Sequence, residues 1–288
     1  MGQADETRRV MRKHGIRPKK KYGQNFLIHE GILDEILDVA DVTGEDYVLE
    51  IGPGLGNMTK KLCKIAKKVV AVEIDKDLIP VLKENLQDRP NFQVLEGDIL
   101  KQDLRKISAE SMDHHPMKVV ANLPYYVTTP IVMKLLEDLD PVQEMVVMMQ
   151  KEVAERMVAE PGTKECGAIS LAVQYYARPT IETLVPPSSF IPQPKVDSVV
   201  MKLVKRETPP VVVKDEKLLF SLIKASFAQR RKTLVNGISG SGELDYTKEE
   251  VIRALRAIHL DERIRGEKLG LAEFGKLADQ LKDMKEER

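Results

Sequence analysis

Residues 48–59 read VLEIGPGLGNMT, a short apolar run that ends in a glycine-rich loop and leads into a helical stretch. Gly52, Gly54 and Gly56 allow the backbone to turn tightly there and to approach a ligand closely. Their spacing is G-x-G-x-G, which differs from the G-x-G-x-x-G spacing of dinucleotide-binding loops. A glycine loop between a buried strand and a helix predicts the first strand, loop and helix of an open α/β sheet.

Apolar runs and helical stretches alternate on both sides of this loop. The runs lack the alternation of polar and apolar residues seen in half-exposed strands, which indicates a parallel sheet covered by helices on both faces. We therefore predict an α/β, Rossmann-like fold with a mostly parallel sheet. Strands are expected at 47–52, 69–74, 92–98, 117–122 and 144–150, with helices at 29–42, 56–66, 76–86 and 129–139.

The pattern changes after Gln150, and from about residue 212 it is helical only, beginning with one helix over 217–238. Pro209-Pro210 marks the change between the two patterns. Between them we predict helices at 151–160 and 168–177, and strands at 178–185 and 199–207. Three parts are therefore expected: a mobile basic arm at 1–24, the sheet domain at 25–210 and a small all-helical domain at 211–288.

The composition gives no sign of a membrane or metal protein. The 288 residues are 42% hydrophobic and 31% charged, which suits a chain that folds around a hydrophobic core in water. No apolar run approaches the roughly 18 residues needed to span a membrane, and the charged N-terminus argues against a signal peptide, so we expect a cytoplasmic protein. Cys63, Cys166 and the five histidines lack disulfide or zinc-ligand spacing, so no metal is expected.

Positive charge is concentrated in two segments of a chain whose net charge is zero. Residues 1–24 hold eight lysines and arginines against Asp5 and Glu6. Lys224 and residues 230–232 form a second cluster, and no acid occurs at 217–242. A single basic run is usually a solvated face, but two runs in a neutral protein favour a polyanionic partner.

Acidic residues follow the second and third predicted strands. Glu73 lies 21 residues after Gly52, at the distance where an acid accepts hydrogen bonds from ribose hydroxyls, and Asp98 ends the next strand. Either carboxylate could instead cap a helix. A glycine loop with acids at neighbouring strand ends predicts an adenosine-containing ligand, either a nicotinamide dinucleotide or S-adenosylmethionine.

The stretch VVANLPYYVTTP at 119–130 favours the second ligand. Asn122 ends a strand, and Pro124 holds Leu123 in an extended conformation, so amide and backbone oxygens can face the cleft. With the flat ring of Tyr125, these acceptors suit a planar base with an exocyclic amine. Holding the amine tetrahedral would localise its lone pair for attack on a sulfonium methyl group. The alternative is an ordinary loop with a surface tyrosine.

Five stretches resemble motifs of the ribosomal small-subunit RNA adenine dimethyltransferase family, and they extend over nearly the whole chain. They are KKYGQNFLI (20–28), EIGPGLGNMT (50–59), NLPY (122–125), FIPQPKVDS (190–198) and FAQRRKTL (227–234). The resemblance implies S-adenosylmethionine as the cofactor and transfer of its methyl groups to N6 of two adjacent adenosines. These lie in the 3′-terminal hairpin loop of 16S rRNA, and the product, formed during small-subunit biogenesis, is N6,N6-dimethyladenosine.

The resemblance also implies roles for individual residues. Phe190 would stack on the target adenine opposite Tyr125, although a core phenylalanine is the alternative. The cofactor site would contain Asn25, Leu27, Gly52, Gly54, Glu73, Asp98 and Asn122; catalysis would use Asn122, Leu123, Pro124, Tyr125 and Phe190; and RNA would be bound by Lys19, Lys20, Lys21, Arg230, Arg231 and Lys232. The expected partner is rRNA in an immature 30S particle, and we expect a monomer that binds neither membrane nor metal.

Three other functions are alternatives to methylation of small-subunit rRNA. Relatives that methylate large-subunit RNA share the core motifs, but FAQRRKTL and the helical C-terminal part resemble the small-subunit branch. A non-catalytic ribosome-assembly factor of the same fold is opposed by the intact Asn122, Pro124 and Tyr125. A nicotinamide dehydrogenase would need G-x-G-x-x-G and a residue that handles hydride transfer, and the sequence has neither.

Overall fold

The computed structural model describes residues 2–138 and 141–286. The chain divides into two compact units, the first formed by the chain up to Ala154 together with Arg178–Lys205 and the second by Glu155–Ala177 and the chain from Arg206 onward. The change near residue 206 lies close to the predicted boundary. The prediction of a continuous sheet domain at 25–210 was wrong, however, because residues 155–177 belong to the helical unit.

The first unit is built on a seven-stranded sheet. Its order is β4-β3-β2-β5-β6-β9-β7, and a separate antiparallel pair is formed by β1 and β8. The strands are β1 (Phe26–Leu27), β2 (Tyr47–Ile51), β3 (Lys68–Glu73), β4 (Phe92–Glu96), β5 (Met117–Asn122), β6 (Val142–Gln150), β7 (Ala177–Val185), β8 (Phe190–Ile191) and β9 (Ser198–Lys205). The pairs among β2 to β6 are parallel and β9 is antiparallel to β6, so the predicted mostly parallel sheet is confirmed.

The strand order fixes where a ligand can bind in this unit. Because β2 lies between β3 and β5, the chain order reverses on either side of it, and a crevice opens at the carboxyl ends of these strands. The strands β2, β3 and β5 are largely buried because helices cover the sheet. The helices of this part of the chain are α1 (Gln3–Lys13), α2 (Glu30–Ala40), α3 (Asn57–Ile65), α4 (Leu78–Asn85), α5 (Leu104–Ser111), α6 (Thr128–Glu137) and α7 (Lys151–Val158), the last of which continues into the second unit.

The N-terminal segment, which was predicted to be a mobile basic arm, contains a helix that packs against the rest of the first unit. Residues 3–13 form α1, in which Thr7 and Val10 are buried. Val10 packs in a cluster with Phe26 and Leu55, and Asn57 donates a hydrogen bond to the Thr7 hydroxyl at 3.1 Å. The helix has few apolar residues and is stabilised by these tertiary contacts, which local sequence patterns do not reveal.

The second unit is helical throughout and has its own core. Tyr175 packs edge-on against Phe220 with ring centroids 5.1 Å apart, and its hydroxyl donates to Glu216 at 3.2 Å. These contacts explain why residues 155–177 join the C-terminal helices. Besides part of α7, the helices are α8 (Ala168–Tyr176), α9 (Glu216–Ala228), α10 (Leu234–Ser239), α11 (Lys248–Ala257) and α12 (Leu271–Glu286).

The single helix predicted over 217–238 is interrupted at residues 229–233. Gln229 leaves the helical conformation with φ −133° and ψ 68°. The hydroxyl of Thr233 then accepts a hydrogen bond from the Asn236 N–H at 3.4 Å and begins α10. In the part of the chain that is described, no helix is both long and apolar enough to cross a membrane.

Candidate functional site

A cleft opens where β2, β3 and β5 end. Its position is the crevice expected of this strand order. The sequence predicted many of the residues that line it. They are Asn25, Leu27, Gly52, Gly54, Glu73, Asn122, Leu123, Pro124 and Tyr125.

The glycine loop forms one wall of this cleft. Gly52 and Gly54 have φ angles of +67° and +61°, which side-chain-bearing residues rarely adopt. A Cβ atom on Gly54 would lie 3.1 Å from the ring of Phe26, whereas one on Gly52 would have no atom within 4 Å. Gly54 is therefore needed for close packing against β1. Gly52 provides the turn and leaves space beside the backbone for a ligand.

Glu73 connects two loops of the cleft. Its side chain is 3% exposed, and its carboxyl oxygens accept hydrogen bonds from the N–H groups of Asp75 at 2.8 Å and Gly54 at 3.2 Å. Burial raises the pKa of Glu73 to about 7, although these backbone donors oppose the increase. Glu73 therefore stabilises the loops after β2 and β3, and its remaining lone pairs are available to hydroxyl groups of a ligand.

Glu50 is a cleft residue that the sequence analysis missed. It lies in β2, is 1% exposed, and neither carboxyl oxygen has a hydrogen-bond partner among the described residues. Burial raises the pKa of Glu50 to about 8; the neighbouring Thr59 hydroxyl opposes the increase, and the nearby Glu73 carboxylate adds to it. Because an unpaired buried carboxyl is costly, its presence here indicates a partner supplied by a ligand. The sequence signal was one acid inside an otherwise apolar strand.

Asn122 is held by the segment that precedes β1. Its Nδ2 atom donates to the backbone carbonyl of Asn25 at 3.0 Å, so the two predicted residues are in direct contact. Because the amide nitrogen is engaged, the amide oxygen is left to accept a hydrogen bond from a ligand. Asn25 therefore fixes the orientation of the group on which the predicted chemistry depends.

The backbone acceptors after Asn122 differ from expectation. The carbonyl of Pro124 accepts from the Val127 N–H at 3.2 Å and from the Thr128 hydroxyl at 3.0 Å. It is therefore occupied by the turn into α6. For the carbonyl of Leu123 no donor is found within the described ranges, and Leu123 lines the cleft. Of the two carbonyls considered, that of Leu123 is the acceptor left for a ligand.

The two aromatic residues assigned to base stacking are placed differently. Tyr125 lines the cleft, and a hydrogen bond of 2.6 Å between its hydroxyl and that of Ser198 fixes the ring. Phe190 is 1% exposed and lies in the hydrophobic core with Leu33 and Val200. Pairing of β8 with β1 places Phe190 opposite Leu27. This burial agrees with the alternative of a core phenylalanine, and stacking of Phe190 on the target base stays a prediction.

Asp98 follows β4, close to the strand end where the sequence placed it, but it does not line the cleft. Its carboxylate accepts from the Leu100 N–H at 3.0 Å and begins the short 3₁₀ helix Ile99–Lys101. This is the helix-capping role that the sequence left open. A place for Asp98 in the cofactor site stays a prediction.

Lys19 forms two ion pairs within the protein, and its binding of RNA stays a prediction. Its Nζ atom lies 2.5 Å from carboxylate oxygens of both Asp75 and Asp77. Hydrogen bonds to these two acids raise the pKa of Lys19. The pair ties the N-terminal segment to the loop after Glu73, beside the cleft. Lys20 and Lys21 are exposed and remain candidates for phosphate contacts.

The second basic cluster lies in the helical unit. A guanidinium nitrogen of Arg230 donates to the carbonyl of Lys164 at 2.7 Å and lies 3.5 Å from a carboxylate oxygen of Glu267. Arg231 and Lys232 are exposed. Binding of RNA by these three residues stays a prediction, for which Arg231 and Lys232 have the more available charge.

Known proteins of one family match this chain over nearly its whole length. The model of the family described as ribosomal RNA adenine dimethylase matches residues 15–264. Two relatives carry the name ribosomal RNA small subunit methyltransferase A. The protein from Alkaliphilus metalliredigens is 50% identical over 276 residues, covering 96% of each chain. That from Geobacillus kaustophilus is 49% identical over 278 residues, covering 96% of this chain and 94% of the relative.

Solved structures agree with the fold. A dimethyladenosine transferase from Plasmodium falciparum superposes with a TM-score of 0.72 at 30% identity, covering 88% of this chain and 95% of that one. The 23S rRNA methyltransferase ErmE superposes with a TM-score of 0.67 at 24% identity, covering 90% and 100%, which shows a shared fold. The family match over residues 15–264 and the near-complete alignment with its relatives lead to one conclusion: this chain belongs to the ribosomal RNA adenine dimethylase family.

Proposed function

We propose that this protein transfers methyl groups from S-adenosylmethionine to N6 of two adjacent adenosines in the 3′-terminal hairpin loop of 16S rRNA, giving N6,N6-dimethyladenosine. Family membership and relatives named small-subunit methyltransferases at about 50% identity support this function. The observation that carries it is the contact between the Asn122 amide nitrogen and the Asn25 carbonyl at 3.0 Å. That contact leaves the amide oxygen of Asn122 to accept from the target amine.

The cleft residues fit S-adenosylmethionine chemically. The unpartnered, buried carboxyl of Glu50 suits the ammonium group of the cofactor, and Glu73 suits the ribose hydroxyls. The open space beside Gly52 admits a ligand next to the backbone. When bound, the cofactor supplies an electrophilic methyl group on a sulfonium.

The protein groups act mainly on the target amine. An adenine amine is a weak nucleophile because its lone pair is delocalised into the ring. The Asn122 amide oxygen and the Leu123 carbonyl would accept its two N–H bonds and favour tetrahedral nitrogen, which localises the lone pair. These hydrogen bonds strengthen as positive charge develops on nitrogen, so they stabilise the transition state more than the ground state.

Tyr125 positions the base rather than taking its proton. Its hydroxyl is engaged with Ser198 at 2.6 Å, and its ring lines the cleft, where it can stack on an adenine. After methyl transfer the substituted ammonium is acidic enough to release its proton to water. No general base is required from the protein.

The wider setting of the reaction follows from the substrate. An rRNA methyltransferase of this kind would act in the cytoplasm on an immature 30S particle, as a monomer. Exposed cations such as Lys20, Lys21, Arg231 and Lys232 would contact RNA phosphates.

The test is to incubate the protein and labelled S-adenosylmethionine with small-subunit particles whose 16S rRNA lacks the modification. Mass mapping should locate two adjacent N6,N6-dimethyladenosines in the 3′-terminal hairpin loop. Large-subunit particles serve as the matched control and should stay unlabelled. Label in large-subunit RNA, or none in either RNA, would refute the proposed substrate.

A further inference from the structure

A groove lies along the N-terminal helix α1, and it shares no lining residue with the cleft described above. The groove lies at the end of α1 and the turn that follows. Seven residues line it, and these include three arginines and no acid: Arg8, Met11, Arg12, Gly15, Ile16, Arg17 and Ile191. We propose that this arginine groove binds the phosphate backbone of the substrate RNA beside the target base. The proposal rests on the function proposed above.

Contacts made by the face of α1 opposite Arg8 and Arg12 hold the helix in one orientation. Glu6 pairs with Lys60 at 2.9 Å, Thr7 accepts from Asn57, and Val10 is buried in the cluster described above. Lys13 pairs with Glu84 along the same side. Helical geometry therefore directs Arg8 and Arg12, four residues apart, away from the helix face that buries Thr7 and Val10.

The three groove arginines have little internal neutralisation. Arg8 has one exposed acid nearby, Asp5 at 3.5 Å. For Arg12 and Arg17 no ion pair is found in residues 2–138 or 141–286, and both are exposed. Like charges four residues apart on a helix repel each other, so an anionic ligand that binds both removes an unfavourable interaction. Guanidinium groups also match the geometry of phosphate oxygens.

The groove adjoins the cleft through one pair of residues. Ile191, which lines the groove, is the register partner of Phe26, which lines the cleft. A single strand whose target base enters at Asn122 could therefore continue into the groove within a short length of backbone. Met11 and Ile16 provide an apolar surface between the arginines on which a base or ribose can pack.

The experiment measures how RNA affinity depends on salt. The charge-removing variant is Arg8→Gln, Arg12→Gln, Arg17→Gln, and the probe is a hairpin RNA with two adjacent adenosines in its loop. Each phosphate contact on single-stranded RNA releases about 0.7 ion, so the slope of log K against log salt should decrease by about 2. If the variant and the wild-type protein bind RNA equally at 1 M salt, this difference in slope makes the variant bind roughly a hundredfold more weakly at 0.1 M salt.

Two matched variants separate a specific contact from charge or folding effects. Lys64→Gln, Lys67→Gln, Lys68→Gln removes the same charge at the end of α3 and the start of β3, away from the cleft, and should leave the slope within about 0.5 of wild type. The conservative variant Arg8→Lys, Arg12→Lys, Arg17→Lys should retain most of the slope. Calorimetric binding of S-adenosylmethionine should be unchanged in all three variants.

The outcomes distinguish this inference from the proposed function. An unchanged slope in the charge-removing variant, or an equal decrease in the lysine control, would overturn the arginine groove as an RNA site. The glutamine variant could lose cofactor binding as well, which would indicate misfolding. In that case the lysine variant is the test, and a salt slope in the lysine variant as low as that in the glutamine variant overturns the inference. Failure of the wild-type protein to methylate the RNA would instead refute the proposed function.

Discussion

The substitution Glu50→Gln tests the role of a cleft residue that was identified from the structure and was not predicted from the sequence. The pKa of Glu50 is raised to about 8 in the free protein, so at pH 7 only about one tenth of the carboxyl is ionised. If the ammonium of S-adenosylmethionine requires the carboxylate, ionising it costs about 1.4 kcal/mol at pH 7 and about 2.7 kcal/mol at pH 6. Cofactor affinity should therefore increase about tenfold over this pH interval.

The assay is titration calorimetry between pH 6 and 7.5 in buffers with different ionisation enthalpies. Wild-type protein should release close to one proton on binding at pH 7. Glu73 has a pKa near 7 and remains in the variant, so the difference between the two proteins reports Glu50 together with its coupling to Glu73. In Glu50→Gln the affinity should be lower, and its pH dependence should lose the Glu50 component. Identical pH profiles in the two proteins would refute the assigned role.

The same substitution has an effect on stability with a defined sign. Because the folded-state pKa of Glu50 is raised from 4.5 to about 8, the folded protein keeps a proton that the unfolded chain releases. Wild-type stability should therefore decrease as the pH rises from about 5 to 8, by at most about 1.4 kcal/mol per pH unit for this group. Relative to wild type, Glu50→Gln should gain stability over that interval, as measured by urea denaturation.

Two further substitutions test other parts of the account. Glu73→Ala leaves two backbone N–H groups unpaired, so the free energy of unfolding should decrease by about 2–6 kcal/mol and cofactor affinity by about tenfold or more; unchanged affinity would make Glu73 purely structural. Replacing Arg230, Arg231 and Lys232 with Gln should lower the salt dependence of RNA binding while cofactor binding is unchanged; an unaltered salt slope would mean that this cluster is a solvated face.

Local sequence patterns predicted the sheet and those site residues that lie at the ends of its strands. The glycine loop, Glu73 and Asn122 are identifiable because residues at the ends of parallel strands converge on one edge, whatever the rest of the chain does. The same reasoning missed Glu50, since a carboxyl inside a strand is informative only once its lack of a partner is known. Burial and pairing are tertiary properties.

The differences between prediction and structure share a cause in long-range packing. Basic composition suggested that residues 1–24 form a mobile arm, but α1 is stabilised by contacts with residues about 50 positions away, such as Asn57. Phe190 is contiguous with a proline-rich motif, yet its pairing with the β1 segment buries it. Residues 155–177 were assigned to the wrong unit because the contacts of Tyr175 with Glu216 and Phe220 cannot be read from local periodicity.

The rate of a single turnover in Asn122→Ala tests whether the Asn122 amide acts on the target amine during methyl transfer. Labelled methyl transfer is measured at saturating S-adenosylmethionine and RNA, with binding of each measured separately. The amide oxygen of Asn122 acts on the developing charge, so the variant should bind RNA with nearly wild-type affinity and transfer methyl at least about a hundredfold more slowly. Transfer at close to the wild-type rate under saturation would contradict the catalytic role of Asn122.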